Sequence, residues 1–359
     1  MTLRDAFETD EPLTVGLEEE VMLLDPATLD LAPVAQRIPD AKLELPASQL
    51  ELNTPPTATV GAAISALADA RQAAADAADG IARLGVAGVH PFAAPLGELN
   101  TDERYEHILA RYGDVARAQL VCALQVHVAV GTAERSLAVY NALRGYLPEL
   151  AALAANAPFH AGRDTGFASV RPLINGLLPR QNVPPAFESW DAYADALAWA
   201  VPEPGSWWWE LRPHLTFGTL EIRVCDAQTT LEETAAVTAY AHALVAWLAE
   251  QEERPVVPSW KIGENRWAAL RDGVEATFKD YDSGEERPVR YVLLERVETL
   301  MPVAERIGCA DELAQVPRMV IRNGALRQRA VGVEGAAAYL ADRFLTPVRA
   351  PARRALETG

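Results

Sequence analysis

Apolar residues alternate with polar ones in several stretches of the first two thirds of the chain, and recur at spacings of three and four elsewhere. Period-two alternation predicts strands over residues 14–24, 43–53, 119–131, 207–212 and 219–226, with shorter ones at 29–34 and 86–89. Helical spacing predicts helices over 60–84, 102–111, 134–156, 190–200, 231–253, 265–273, 289–307, 310–316 and 335–344. Pro148 divides or kinks the helix at 134–156. Residues 202–205 form a turn, 213–218 join two paired strands, and 347–359 are a frayed end. No internal repeat or low-complexity linker interrupts the pattern. It predicts an α+β fold in a single integrated domain over 1–359, with the sheet drawn from about 12–255 and a helical C-terminal part at about 256–346.

The polar positions within the strands carry the candidate chemistry. In the first strand, alternation sets Glu18 and Glu20 on one face and Glu19 on the other, among Val15, Leu17, Val21 and Leu23. Two carboxylates on one face of a buried strand repel each other and lose hydration, which calls for a cation between them; oxygen ligands point to Mg²⁺. A solvated acidic edge is the alternative, and the close apolar flanks weigh against it. The pattern does not explain Glu19. Glu51 lies opposite Leu50 and Leu52, and a bend at Pro46 and Ser48 suits convergence of Glu44 and Glu51, each of which could otherwise be a surface glutamate. Over 119–131, Cys122, Leu124, Val126, Val128 and Val130 form an apolar face. Gln125 and His127 share the other face with Ala123 and Ala129, as in a lined cavity, so His127 is a candidate for metal or phosphate contact. His90, beside Pro91, is read as structural.

In the last two strands Glu210 and Arg212 share a face with Trp208. Thr219, Glu221, Arg223 and Cys225 share one opposite Leu220, Ile222 and Val224. Glu221 beside Arg223 is either an ion pair or a metal ligand next to a phosphate-binding guanidinium. Residues 156–171 gather Gly, Asp, Thr, Ser and Arg without periodicity, as in a substrate loop or an ordinary crossover.

Charge and composition narrow the partners. The net charge is −18 and the pI about 4.8, with no basic stripe, so nucleic acid is not an expected partner. No apolar run is long enough to span a bilayer, and residues 1–12 lack the apolar core of a signal peptide. Three cysteines, Cys122, Cys225 and Cys309, argue against a disulfide framework and for a reducing interior. A cytoplasmic location is expected. Cys225, placed on the site face by parity, is either reactive or a small buried thiol.

Motifs spread over nearly the whole chain then match a known family, in its order. They are Gly16-Leu17-Glu18-Glu19-Glu20, Leu124-Gln125-Val126-His127-Val128, Gly162 to Ser169, Gly218 to Asp226, Glu264-Asn265-Arg266-Trp267 and Arg327-Gln328-Arg329. The chain resembles the carboxylate–amine ligases, the type 2 glutamate–cysteine ligase-like proteins. The resemblance implies a glutamine-synthetase-like fold, a curved antiparallel sheet around the active site with helices outside. It implies ATP and Mg²⁺, with Mn²⁺ as a substitute, and an acyl phosphate that an amine displaces to give an amide or γ-glutamyl-type bond. It implies Glu18, Glu20, Glu51, His127 and Glu221 as the metal shell, with Glu44 a further candidate. Arg223, Glu221 and Glu20 are the implied catalytic groups. Arg171, Arg212, Gln125, Asn265 and Arg266 are implied at the nucleotide, and Arg163, Thr165, Arg327 and Arg329 at the substrate.

The family often has a second histidine where this chain has Gln125, an amide that can donate to a phosphate oxygen but ligates metal poorly. Small polar residues that often precede the Pro-Phe pair are here Ala155 and Ala157, around Asn156. The implied partners are an amino-acid-like carboxylate and an amine, glutamate and cysteine among them, and a homodimer is allowed. The alternatives are a phosphotransferase of the guanidino-kinase type and a catalytically silent nucleotide-binding protein.

Overall fold

The computed structural model describes residues 3–199 and 208–346. Its strands are β1 (Val15–Leu24), β2 (Gln49–Asn53), β3 (Arg83–Gly85), β4 (Ala123–Ala129), β5 (Phe159–His160), β6 (Arg163–Asp164), β7 (Leu211–His214), β8 (Thr219–Asp226), β9 (Thr277–Lys279) and β10 (Glu286–Pro288). Six of them form one antiparallel sheet, in the order β2-β1-β4-β8-β7, with β3 added to β1. β5–β6 and β9–β10 are separate two-stranded ladders.

One face of the sheet is apolar and covered by helices. The helix Val60–Ala77 turns Val60, Ile64 and Leu67 inward and packs on β1 and β2. The helix Leu231–Glu250 is apolar nearly all round and buried along its length, lying between the sheet and the helix Val289–Ile307. Thr230 and Glu233 cap its start reciprocally, each side chain bonding the other's backbone N–H. One continuous hydrophobic cluster runs from Phe7 and Leu17 to Leu340 and Phe344, which supports our proposal that 1–359 is one integrated unit.

Several boundaries differ from expectation. The helix at 60–84 stops at Ala77, because Gly80 takes a left-handed φ of 71° and the chain returns as β3 against β1. β3 replaces the strand expected at 86–89, where only Val89 bridges to Val121. The return strand at 29–34 is reduced to one bridge, Leu24 to Leu31, after Leu29 at φ 59°. The 43–53 stretch folds on itself, with Leu43 bridging Leu50, so only Gln49–Asn53 is strand.

Pro148 does divide the 134–156 helix, into Ala133–Leu143 and Leu147–Ala154, and sits in the first turn of the second. Pro213 lies within β7 rather than beyond it, which an edge strand tolerates. Gly218 closes the β7–β8 turn at φ 65°, where a Cβ would fall 1.8 Å from the Ala6 carbonyl oxygen. The last third is helical apart from the β9–β10 hairpin, and its final helix begins early, at Gly324, bending at Gly332. The turn expected at 202–205, Ala200, Trp207 and the end at 347–359 lie outside the described residues.

Candidate active site

The uncovered face of the sheet collects polar side chains in rows set by register. Gly16, His127, Glu221 and Arg212 are successive cross-strand partners, as are Asn53, Glu18 and Gln125, and Glu51 sits opposite Glu20. Parity had grouped the polar residues of each strand on one of its faces, and register brings those faces together.

The expected single metal shell is divided into two clusters. In the first, ligand atoms of Glu18, His127 and Glu221 all lie within 4.8 Å of one another. His127 Nδ1 meets Thr219 Oγ1 at 2.9 Å, which orients the ring, while buried Nε2 has no hydrogen-bond partner and lies 3.6 Å from Glu18 Oε1. A buried orphan nitrogen facing two carboxylates is the arrangement a divalent ion completes, so these residues fit a metal. Glu221 is fully buried, yet Arg223 and Arg212 beside it hold its carboxyl well below the usual range.

The second cluster is Glu20, Glu44 and Glu51. Burial pushes Glu20 up to about 7, even though the Ala123 N–H donates to it at 2.7 Å. Burial likewise raises Glu44, aided by its hydrogen bond to Glu51 and the charge of Glu20. Burial also pushes on Glu51, but hydrogen bonds with Glu44 and Lys42 outweigh it and hold its carboxyl low. Asn53 Nδ2 adds a further donor at 2.8 Å. Without a cation, then, this cluster relieves its repulsion by keeping protons. Arg223 and Gln125 tie the two clusters together. Arg223 donates to both Glu221 and Gln125, and Gln125 Nε2 donates to Glu20 at 3.2 Å.

A cavity opens from each cluster. One, of about 610 Å³, is lined by Glu20, Glu44, Arg171, Arg223, Arg266 and Glu210, with Tyr105, Tyr112 and Trp208 as aromatic walls. The other, of about 930 Å³, is lined by Glu18, His127, Asn53, Thr54, Thr57, Phe217 and Thr219, with Arg306 also at its wall. Arg171 is buried, donating to Asp226 (2.7 Å) and to the Val224 carbonyl (2.7 Å). Arg266 pairs with Glu210 at 2.6 and 2.7 Å.

The remaining expected residues do not reach this face. Asn265 exchanges two 2.8 Å bonds with the Lys279 backbone. Arg163 is exposed on β6. Thr165 Oγ1 donates to the Pro158 carbonyl at 2.8 Å. Arg329 clamps Asp164 at 2.9 Å, and Arg327 pairs with Glu233. Between those arginines Gln328 is buried on Asn156. These motifs fasten the 156–171 loop to the C-terminal helix.

One parity assignment is corrected. β4 and β8 pair as Leu124 with Cys225 but as Val126 with Ile222, so β8 holds one extra residue opposite Gln125. Past this bulge the faces exchange. Cys225 joins Leu124 in the apolar core, where burial pushes its thiol up to about 12, and Asp226 takes the polar face to receive Arg171, Ser169 and the Asn156 N–H. All three cysteines are buried and free. His90 is structural as expected, accepting two backbone N–H groups at Nδ1 and meeting the Leu29 carbonyl through Nε2 at 2.9 Å.

Sequence reasoning missed Lys42, Asn53 as a donor to Glu51, and Arg71. Arg71 explains Glu19: both are fully buried and joined by bonds of 2.6 and 2.7 Å. Arg71 also donates to the carbonyls of Gln228, Thr229 and Phe344. A signal existed, since Arg71 continues the stripe of Val60, Ile64 and Leu67 on its helix.

Known proteins match this arrangement over most of the chain. The sequence profile described as glutamate-cysteine ligase family 2 matches residues 14–334. A Rubrobacter xylanophilus protein named "Putative glutamate--cysteine ligase 2-3" is 38% identical over 345 residues, covering 90% of this chain and 94% of its own. A relative in Leifsonia xyli with a name of the same form is 34% identical, covering 91% and 92%. Among solved structures, a glutamate–cysteine ligase from Francisella tularensis in complex with AMP superposes with a TM-score of 0.70 at 12% identity, over 94% of this chain and 89% of that one. A bifunctional glutathione synthetase from Pasteurella multocida gives 0.66 at 16% identity, over 92% of this chain and 52% of that one. The expected fold is thus shared with these structures, and the chain belongs to glutamate-cysteine ligase family 2.

Proposed function

We propose that this protein is an ATP-dependent carboxylate–amine ligase, with glutamate and cysteine as the first pair to test. The observation that carries the reading is the orphaned Nε2 of His127 facing Glu18 and Glu221 on the same face as the Glu20–Glu44–Glu51 cluster. Glu18, His127 and Glu221 would hold one divalent ion, and Glu20, Glu51 and Glu44 a second, with Mg²⁺ preferred by the oxygen-rich donor sets. When bound, such ions screen the nucleotide's phosphates from this acidic face and neutralise charge on the transferring phosphoryl.

The two cavities divide the substrates between them. The cavity beyond the triad offers hydroxyls, Phe217 and a single arginine, Arg306, which suits the nucleotide. The cavity beyond Glu20 brings Arg223, Arg171 and Arg266 among aromatic walls, which suits an amino-acid-like carboxylate and its amine partner. At the junction, a carboxylate oxygen attacks the γ-phosphorus and the bond to ADP breaks. The amine nitrogen then attacks the acyl carbon, loses a proton, and phosphate leaves with that carboxylate oxygen. Arg223, fixed by Glu221 and Gln125, sits where it can face the acyl-phosphate oxygens.

Incubation with ATP, Mg²⁺ and panels of amino acids and amines should release ADP and phosphate only with a matching pair, giving an amide by mass. Hydroxylamine in place of the amine should trap a hydroxamate. A phosphorylated product stable without amine would transfer the scaffold to phosphotransfer, and no phosphate release with any pair would end the proposal.

A further inference from the structure

A third cavity, of about 510 Å³, lies on the helical side of the sheet, where the helices Leu231–Glu250, Val316–Ile321 and Gly324–Arg343 meet. Arg318, Arg322, Arg327 and Arg343 line it, against two carboxylates, Glu232 and Glu233. Arg318 pairs with Glu232 at 2.9 Å and Arg327 with Glu233. Those pairings leave Arg322 and Arg343 with no carboxylate partner among the described residues. The Arg343 guanidinium instead lies 4.7 Å over the Tyr339 ring. Burial holds Arg327 below the usual arginine range, with the charge of Arg343 a minor addition.

In a chain of net charge −18, a pocket with two more cations than anions is an electrostatic exception. Guanidinium groups match oxyanions in geometry as well as charge. The Tyr339 side chain at the lining adds a hydroxyl group. We propose that this cavity binds a small polyanion, a metabolite carrying phosphoryl or several carboxylate groups, held chiefly by Arg322 and Arg343. The site is separate from the polar face, yet it adjoins the buried pair that holds β1, because Arg71 bonds the carbonyls of Thr229 and Phe344 on either side of it. The inference does not depend on the ligase activity.

The test is calorimetry on the full chain, freed of metal and desalted, at low ionic strength. Inorganic pyrophosphate and citrate are the two probes, and whichever binds decides between phosphoryl and polycarboxylate chemistry. Saturable binding of at least one is expected, weakened tenfold or more in R322Q/R343Q and largely retained in R322K/R343K. Both arginines are exposed, so melting temperatures should stay unchanged and separate lost binding from lost fold. Absence of saturable binding by either probe, or undiminished binding in the double glutamine variant, would overturn the proposal.

Discussion

The two faces of β1 put the same residue type to opposite uses. Glu19 points into the helical layer, fully buried, and is answered by Arg71 through two bonds and by Thr234 Oγ1 at 3.4 Å. Glu18 and Glu20, one residue to either side, face open cavities, and neither has an ion pair with a lysine or arginine among the described residues. The chain thus supplies a cation to the carboxylate on one side of the strand and none in direct ion pair to the two on the other. A buried carboxylate with a complete set of protein partners belongs to the architecture. One whose neighbours include an orphan imidazole or a proton-sharing carboxylate is waiting for something from outside.

The largest effect that would break this contrast is on activity. Glu20→Gln should lower ligase turnover by roughly two orders of magnitude or more, through loss of a metal-facing charge. Its metal-free melting temperature should be equal or higher, because the substitution removes like-charge repulsion. Ordinary turnover in that variant would refute the second metal cluster. Arg223→Lys should cost about tenfold to a hundredfold in turnover, since Nη1 alone bonds both Glu221 and Gln125 and an ammonium lacks the other guanidinium donors that remain for phosphoryl oxygens.

Glu19→Gln or Arg71→Met should do the reverse. Each leaves a buried charge unanswered and should cost about 3–5 kcal/mol by denaturant unfolding, while Mg²⁺ affinity of the folded protein is unchanged. Replacing both, as Glu19→Leu with Arg71→Met, should recover most of the loss. A double variant as unstable as the sum of the singles would show that the pair acts through something other than its charges.

Smaller, and continuous, is the dependence on pH. The Glu20 carboxyl is raised by burial from an ordinary 4.5 to about 7, so the folded protein binds the extra proton between these values. Its contribution to metal-free stability is therefore full below about 4.5 and lost as pH rises through about 7. Mg²⁺ must displace that proton, so its affinity by calorimetry should increase across the same interval, with proton release. The stability trend should flatten in Glu20→Gln. A pH-independent Mg²⁺ affinity between pH 5 and 8 would remove protonation from the account.

Much of this was legible from alternation alone. Parity separated Glu18 and Glu20 from Glu19, paired Gln125 with His127 and paired Glu221 with Arg223, because a regular antiparallel ladder converts sequence parity into a face. It could not choose the partner strand, so it did not reveal that Glu18, His127 and Glu221 form one group and Glu20, Glu44 and Glu51 another. Nor could it foresee the bulge that turned Cys225 inward and Asp226 outward. Motif resemblance gave weaker guidance on roles. Asn265, Thr165, Arg327 and Arg329 lie in matching motifs, but their polar groups are taken up in holding loops and helices together. Arg71 was overlooked because a charge in an alanine-rich helix reads as solvent-facing until its phase with Ile64 and Leu67 is counted.

The extra residue in β8 lets a single strand be odd-numbered in its chemistry up to Arg223 and even-numbered at Asp226. Position-by-position transfer between relatives is consequently safe on either side of Gln125's partner but treacherous across it. The same residues run as a regular ladder, without the bulge, would keep every letter of Glu-Ile-Arg and yet present a thiol, rather than a carboxylate, to Arg171.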